Sequence, residues 1–417
     1  MEKVLIIANE FPPMGGSGVQ RTTKFVKYLP EFDIEPIVVT KEYLGSLKDE
    51  TLLNELPKDL KIYRLKPYDM INKKGILRLP FKFIGTRLIS PDAEFFWYYF
   101  NRDRVAEIIR EHNIKCIYTT SYPYSSHLMG LYLKRKFSNL HWVADFRDEW
   151  TNNPYHLDDF YRRVRFKWEK KKELEVTSEC DYLITNTQFM LDNFIKDNPS
   201  LKGRSTYIPN GYDEEDFVGL VNERNGQDKF VITHTGSLYG RRNLTEFLDG
   251  LNIAIGNNSI DKRDLEIRIV GNVYKKVVDE YAEKYDLVGN MKAYGYVPHR
   301  ESIQMLYYSD VLLLLIGKGK GSENFYTGKL FEYIRADRPI LGIVPQHGAA
   351  AQVIRDTNTG VVVEPEDIEA IGEAIVSYYR QWKSGKIDHN PKWDEIQKYS
   401  RKSQAKELAH IIYELLK

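Results

Sequence analysis

Phe230-Val231-Ile232-Thr233-His234-Thr235, followed by Gly236-Ser237, is an apolar run of strand length that breaks on small residues and opens a helical segment. It repeats the start of the chain, where Val4-Leu5-Ile6-Ile7-Ala8 leads into Phe11-Pro12-Pro13-Met14-Gly15-Gly16-Ser17-Gly18 and a helical stretch over 19–29. From the first run the alternation continues through 36–40, 115–120, 142–145 and 182–185; from the second, through 267–271, 311–316, 339–344 and 360–363. Strand-length runs alternating with helical periodicity specify a doubly wound parallel sheet, and a restart of the pattern specifies a second one. The turn-rich Ile208-Pro209-Asn210-Gly211 separates them. The expected organisation is an α/β domain over 1–209, a second over 210–390 facing it across a cleft, and a helical segment over 391–417 that crosses back to the first. Ligands in such folds sit at the carboxyl ends of the strands.

Composition narrows the function. The 417 residues suffice for two domains. Lys and Arg number 60 against 59 Asp and Glu, a net charge of +1 that excludes a general nucleic-acid binder. Cys116 and Cys180 are the only cysteines, so a disulfide framework and a cysteine-based zinc site are both excluded, and a reducing cytoplasm is expected. Apolar runs fall well short of the ~20 residues of a membrane-spanning helix. The N-terminus enters a strand with no cleavage-like site, which argues against a secretory signal.

Several familiar motifs begin and do not complete. Gly16-x-Gly18 after the first strand suggests a dinucleotide-binding turn, but Arg21 stands where the third glycine belongs. The second strand then runs into Val39-Thr40-Lys41 with no acid for an adenosine ribose, which argues against a dehydrogenase. Ser17 lacks the spacing of a nucleophile elbow because Val19 replaces the second glycine. Residues 321–330 imitate a phosphate-binding loop, with Glu323 in place of a glycine and Leu330 in place of the magnesium-binding hydroxyl. No Asp-x-Asp occurs, so the usual carboxylate clamp for a diphosphate-bound metal is missing, and no metal site is expected. Cations and backbone N–H groups would have to neutralise a diphosphate.

The second half supplies such groups. Gly236 and Ser237 give close approach, and Arg241 and Arg242 follow at the start of a helix. Further on, Tyr326-Thr327-Gly328-Lys329-Leu330-Phe331-Glu332-Tyr333 opens another helix, with Gly328 and Lys329 at its start and Glu332 one turn in, where a carboxylate can accept from a ribose diol. The competing readings are a left-handed turn with solvated arginines and a solvated helix face for Glu332. Tyr294-Gly295-Tyr296-Val297-Pro298-His299 follows a strand-like segment and offers backbone to a base.

On these motifs the chain resembles the glycosyltransferase family 4 group over nearly its whole length. The residues that carry the resemblance are Phe11-Pro12-Pro13 with Gly15-Gly16, Asp145-Phe146-Arg147-Asp148-Glu149-Trp150, Ile208-Pro209-Asn210-Gly211 with Asp213 and Phe217, Thr235-Gly236-Ser237, and Lys329-Leu330-Phe331-Glu332-Tyr333. The resemblance implies a GT-B fold of two Rossmann-like domains and metal-independent, retaining transfer of a hexose-type sugar from a nucleotide-diphosphate donor to an acceptor hydroxyl. It also implies no cofactor beyond that co-substrate. Gly16, Ser17, Gly236, Ser237, Arg241, Arg242, Gly271, Val297, Thr327, Gly328, Lys329, Leu330 and Glu332 become donor-binding candidates. Glu332 matches the family's second glutamate, whereas the first falls on Asn324, with Glu323 one position away. Arg242 matches a phosphate-binding lysine, and Ser237 stands where an arginine is frequent.

For the chemistry, the leaving diphosphate is expected to help deprotonate the acceptor while Arg241, Arg242 and Lys329 stabilise the charge that develops on it. Arg242 and Lys329, together with Asp145, Arg147 and Asp148 at the end of a first-domain strand, are the catalytic candidates; Asp148 capping a turn and pairing with Arg147 is the structural alternative. Tyr122 and His127 are candidates on the acceptor side, with packing as the alternative for His127. Between Lys61 and Arg87 lie Arg64, Lys66, Lys73, Lys74, Arg78 and Lys82 against the single acid Asp69, interleaved with apolar residues, and the aromatic run over 95–100 follows. Such a stretch suits an anionic membrane surface, so a peripheral enzyme on the inner face of the cell membrane with a glycan or lipid-linked saccharide acceptor is expected. A second basic run over 162–172 reads first as a solvated helix face, with a lipid contact as the alternative. Two rivals share the donor contacts: a sugar-nucleotide epimerase and a non-catalytic sugar-nucleotide-binding protein.

Overall fold

The computed structural model describes the chain except residues 44, 46–47, 68–88, 153–159, 222–227, 239–241, 318, 320 and 325, and except the side chains of 17 and 160–164. It divides into two units, Met1–Asn210 with Arg401–Lys417, and Gly211–Ser400.

The first unit holds a seven-stranded parallel sheet in the order β3-β2-β1-β4-β5-β6-β7. Its strands are β1 (Glu2–Ile7), β2 (Ile34–Lys41), β3 (Lys61–Leu65), β4 (Cys116–Ser121), β5 (His141–Phe146), β6 (Tyr182–Thr185) and β7 (Ser205–Tyr207). Side chains alternate between two covered faces, which is why the strands are apolar throughout. Leu5, Ile7, Ile37, Val39, Ile117 and Trp142 pack beneath helices Phe95–His112 and Ser125–Lys136. Val4, Ile6, Val38, Tyr118 and Val143 meet Phe25 and Val26 of helix Ser17–Tyr28 and Leu408, Ile411 and Ile412 of the C-terminal helix Arg401–Leu416. The C-terminal segment thus divides. Helix Trp393–Gln397 stays with the second unit, where Ile396 is wholly buried, and the return to the first begins at Arg401.

The second unit holds six parallel strands in the order β10-β9-β8-β11-β12-β13. They are β8 (Phe230–Thr235), β9 (Leu265–Val270), β10 (Met291–Gly295), β11 (Val311–Leu315), β12 (Ile340–Ile343) and β13 (Gly360–Val363). One face carries Ile232, Ile267, Ile269 and Leu313 against helices Thr245–Gly256 and Ile368–Lys383. The other carries Leu312, Leu314 and Ile340 against helices His299–Tyr307, Lys329–Arg335 and Ala349–Thr357. In each sheet the strand order reverses once, between β1 and β4 and between β8 and β11, and a crevice at such a reversal is where open α/β sheets bind ligands.

The basic stretch expected at a membrane resolves differently at its start. Residues 61–65 form edge strand β3, with Lys61 bonded to Glu35 at 2.9 Å and Arg64 donating to the Pro12 carbonyl at 2.5 Å. These cations are engaged by the fold; residues 68–88 lie outside the described residues.

Candidate functional site

In the second unit the chemistry gathers where β8 and β11 part. Val270 accepts from the Gly236 amide at 2.6 Å, and Gly236 adopts a φ of 99° that L residues rarely take. A Cβ on Gly236 would stand 2.7 Å from Lys329 Nζ, so the glycine leaves room for that ammonium. Behind it, a Cβ on Gly271 would meet the Gly236 backbone at 2.8 Å. Two glycines from neighbouring strand ends therefore bring the turn down onto Lys329.

Lys329 donates to His234 Nε2 at 3.1 Å, and His234 is fully buried with its Nδ1 2.9 Å from the Leu313 carbonyl. Burial and the charge of Arg242 pull the Lys329 pKa down to about 7, with Glu332 acting against them. The His234 pKa lies well below its ordinary value, from burial first and then from Lys329. Lys329 is thus a half-buried cation held by a neutral imidazole, with a guanidinium near and no carboxylate bonded to it among the described residues. One turn along the helix, Glu332 Oε1 accepts from His299 Nε2 at 2.9 Å and stays partly accessible. Thr327 Oγ1 is buried with no hydrogen-bond partner among the described residues. The Tyr333 hydroxyl accepts from the Thr235 amide at 2.8 Å and ties the helix to the end of β8.

Of the donor candidates, Gly236, Gly271, Lys329 and the Arg242 charge come together here, with Glu332 one helical turn away. Ser237 and Val297 are half-buried near strand ends, Gly328 is exposed, and Leu330 is a core side chain with no exposed surface. Leu330 has only its backbone to offer a ligand, and that amide is bonded to the Thr327 carbonyl at 3.1 Å. Arg241 lies outside the described residues. Glu323 is exposed and Asn324 half-buried in the short turn Ser322–Asn324. The sequence reading missed His234 and used His299 only for its backbone. The signal was present: His234 is the one imidazole in an otherwise apolar and hydroxyl-bearing strand, directly before the small-residue turn.

In the first unit the expected cluster at the end of β5 separates into different roles. Asp145, expected to face substrate, has no exposed surface; it is paired with Arg21 and also accepts from the Tyr118 hydroxyl and from Thr120 Oγ1 at 3.3 Å. Every approach is filled by protein, so the side chain acts as scaffold. Arg147 donates to the carbonyls of Ser121, Gly18 and, at 2.9 Å, Tyr122, joining the first turn of helix Ser17–Tyr28 to the end of β4 and the residue after it. Glu10 lies 4.0 Å from it. Gly16, with a φ of 110°, is the last residue of the loop after β1, and Ser17 opens helix Ser17–Tyr28. Asp148 is exposed, and the protein crowding its carboxyl raises its pKa against the pull of Arg147. Tyr122 is 40% exposed at the same edge. His127 is wholly buried, bonded to Thr119 Oγ1 at 2.8 Å and stacked on Phe146, and burial pulls its pKa down to about 3. Asp148 and Tyr122 are thus exposed side chains of this edge, while Arg147 is half-buried. No group of three or more His, Cys, Asp or Glu side chains among the described residues is arranged to hold a metal ion.

The family described as "Glycosyltransferase Family 4" matches residues 16–216, and the one described as "Glycosyl transferases group 1" matches residues 221–399. Mannosylfructose-phosphate synthase of Agrobacterium fabrum is 23% identical over 163 residues, 34% of this chain, and the match spans only 33% of that protein. A glycosyltransferase from Rickettsia africae ESF-5 superposes with a TM-score of 0.65 at 16% identity, over 100% of this chain and 99% of that one. WaaG, a glycosyltransferase involved in lipopolysaccharide biosynthesis, superposes at 0.57 and 16% identity, over 98% and 94%. At these identities the solved structures bear on the fold, which is GT-B. With one family match on each of its two doubly wound units, the chain belongs to the group 1, family 4 glycosyltransferases.

Proposed function

We propose that the protein is a retaining, metal-independent glycosyltransferase that moves a hexose-type sugar from a nucleotide-diphosphate donor to an acceptor hydroxyl, with a lipid-linked saccharide as acceptor. The observation that carries the donor half is the Lys329 ammonium beneath Gly236, held by His234 with no carboxylate bonded to it among the described residues. Arg242 and Lys329 neutralise the diphosphate and stabilise the charge that grows on it as the glycosidic bond breaks. Glu332 accepts from the ribose hydroxyls, exchanging its bond with His299 for them. The acceptor hydroxyl attacks from the face that the diphosphate leaves, and a diphosphate oxygen takes its proton. On the first unit, Asp148 and Tyr122 orient that acceptor.

The lipid side of the reading is supported by exposed aromatic residues beside cations. Phe166 and Trp168 are each 41% exposed on helix Phe160–Glu179, next to Lys167 and Lys171, and Phe100 is 51% exposed on helix Phe95–His112. Aromatic and basic residues together suit the interface of an anionic bilayer. Among the described residues no helix is long and apolar enough to cross a membrane, so the contact proposed is peripheral, at the cytoplasmic face.

Incubating the protein with a panel of nucleotide sugars and a lipid-linked saccharide acceptor tests the assignment. Transfer or slow donor hydrolysis by the wild type is expected, with loss of ~100-fold or more in Arg242→Ala. Turnover by Arg242→Ala and Glu332→Ala at the wild-type rate would sink the donor assignment. Failure to sediment with vesicles containing anionic lipid at physiological salt would remove the membrane part alone.

A further inference from the structure

We propose that His234 is a positioning residue that aims the Lys329 ammonium at the donor diphosphate, and that the pair makes nucleotide binding take up a proton. The inference rests on the reading of the second unit as the nucleotide-sugar site, and it adds a residue and a proton balance that the reading does not require.

His234 is the penultimate residue of β8 and fully buried. Its Nδ1 lies 2.9 Å from the Leu313 carbonyl of β11. A carbonyl only accepts, so Nδ1 carries the ring proton and Nε2 presents a lone pair. That lone pair takes one N–H of Lys329 at 3.1 Å. The other N–H bonds of the ammonium have no bonded carboxylate among the described residues, and the missing Cβ of Gly236 leaves room for Nζ against the turn that ends β8. A hydroxyl or carboxamide in place of His234 would be free to turn; an imidazole pinned by Leu313 offers an acceptor in one fixed direction.

Three charged or titratable groups act on Lys329. His234 of β8 is neutral, and Arg242 from the segment after β8 opposes a second cation. Glu332, on the helix of Lys329 itself, favours the cation, while its carboxylate is also engaged by His299 from helix His299–Tyr307. Burial and Arg242 outweigh Glu332, and the Lys329 pKa falls to about 7. A diphosphate beside Nζ reverses that balance. At pH 8 the free site is largely unprotonated. Binding then forms one N–H bond on the Nζ lone pair with a proton drawn from buffer, and no bond in the nucleotide breaks.

Isothermal titration of UDP and of GDP into the full chain at pH 8, in Tris and in HEPES, reads the proton count from the difference in observed enthalpy. The terminal phosphate is already ionised at that pH and contributes none. Wild-type protein is expected to take up close to one proton per nucleotide at pH 8 and little at pH 6. Lys329→Arg is expected to bind without uptake, because a guanidinium stays charged. His234→Leu is expected to weaken binding by about 10-fold or more, the cost of one hydrogen bond to a charged group, and His234→Gln to recover part of it. Nucleotide binding by the wild type with no uptake at pH 8 overturns the inference and leaves the donor site standing. So does wild-type affinity in both His234 variants. Absence of binding by every nucleoside diphosphate in a wider panel overturns the donor reading, and this inference with it. Should His234→Leu fail to fold, His234→Gln and the wild-type proton count still decide the matter.

Discussion

Arg21 and Asp145 form a two-point ion pair in the interior of the first unit, Nε to Oδ2 at 2.7 Å and Nη2 to Oδ1 at 2.9 Å, with 1% and 0% of their side-chain surfaces exposed. Arg21 also donates to the Pro209 carbonyl at 2.8 Å. One guanidinium therefore joins helix Ser17–Tyr28, strand β5 and the last residues before the second unit. The family-like segment from Asp145 to Trp150 begins with a structural carboxylate.

Asp145→Ala leaves a buried guanidinium without its counter-charge, which typically costs about 3–5 kcal/mol. The urea midpoint is expected to fall accordingly with an unchanged slope, and the double variant Arg21→Met/Asp145→Leu to recover much of the loss. A normal midpoint combined with lost turnover would instead return Asp145 to the substrate.

The stacked glycines give a second test. At Gly271 the φ of 133° and the Gly236 backbone 2.8 Å from a new Cβ leave no space that a side-chain rotation can supply. Gly271→Ala should cost roughly 1–3 kcal/mol in thermal or urea unfolding. Gly236→Ala meets the far end of Lys329, which can swing away, so its expected signature is weaker nucleotide binding beyond the stability lost to its strained φ.

These residues also mark what the sequence could and could not disclose. The Thr-Gly-Ser turn after β8 and the helix start at Lys329 are local features, set by small residues and by periodicity, and their places in the chain were readable. That Gly236 stands over Lys329 is a tertiary fact, as is the bond of Lys329 to His234, 95 positions earlier. Arg21 and Asp145 are 124 positions apart, and Asp145 looks like an active-site acid until the arginine is seen. Strands β3 and β7 escaped the apolar-run reading because both lie at the ends of the sheet order and neither buries a full row of side chains. The central strands, buried on both faces, showed themselves directly.

Donor use should weaken as pH rises. The cation of Lys329 is what the diphosphate meets, and the free enzyme loses that cation as pH passes about 7. The kcat/KM for donor reports the free enzyme, so it is expected to fall on the alkaline side with an apparent pKa near that value. Lys329→Arg should carry the limb to higher pH, whatever it does to the maximal rate. An alkaline limb that persists unchanged in Lys329→Arg belongs to another group.

His127 makes a prediction about stability in acid. Its ring is buried, stacked 4.1 Å centroid to centroid on Phe146, and holds no charge until pH falls to about 3. In the unfolded chain a histidine protonates near its ordinary value of ~6.5. Between these values the unfolded state binds the extra proton, so the contribution of His127 to stability is complete above ~6.5 and declines as pH falls, by roughly 1.4 kcal/mol per pH unit. Asp92 and Glu149 run the other way. Burial raises them to about 6 and about 7, so the folded state binds protons first and gains stability as pH drops. The wild-type curve sums these opposing slopes and does not isolate the histidine; the difference between wild type and His127→Phe does. Phenylalanine keeps the stacking surface and has nothing to titrate, so the variant should gain on wild type progressively below pH 6.5 in urea unfolding. A difference that stays flat from pH 7 to pH 4.5 would show that the ring takes up its proton in the fold.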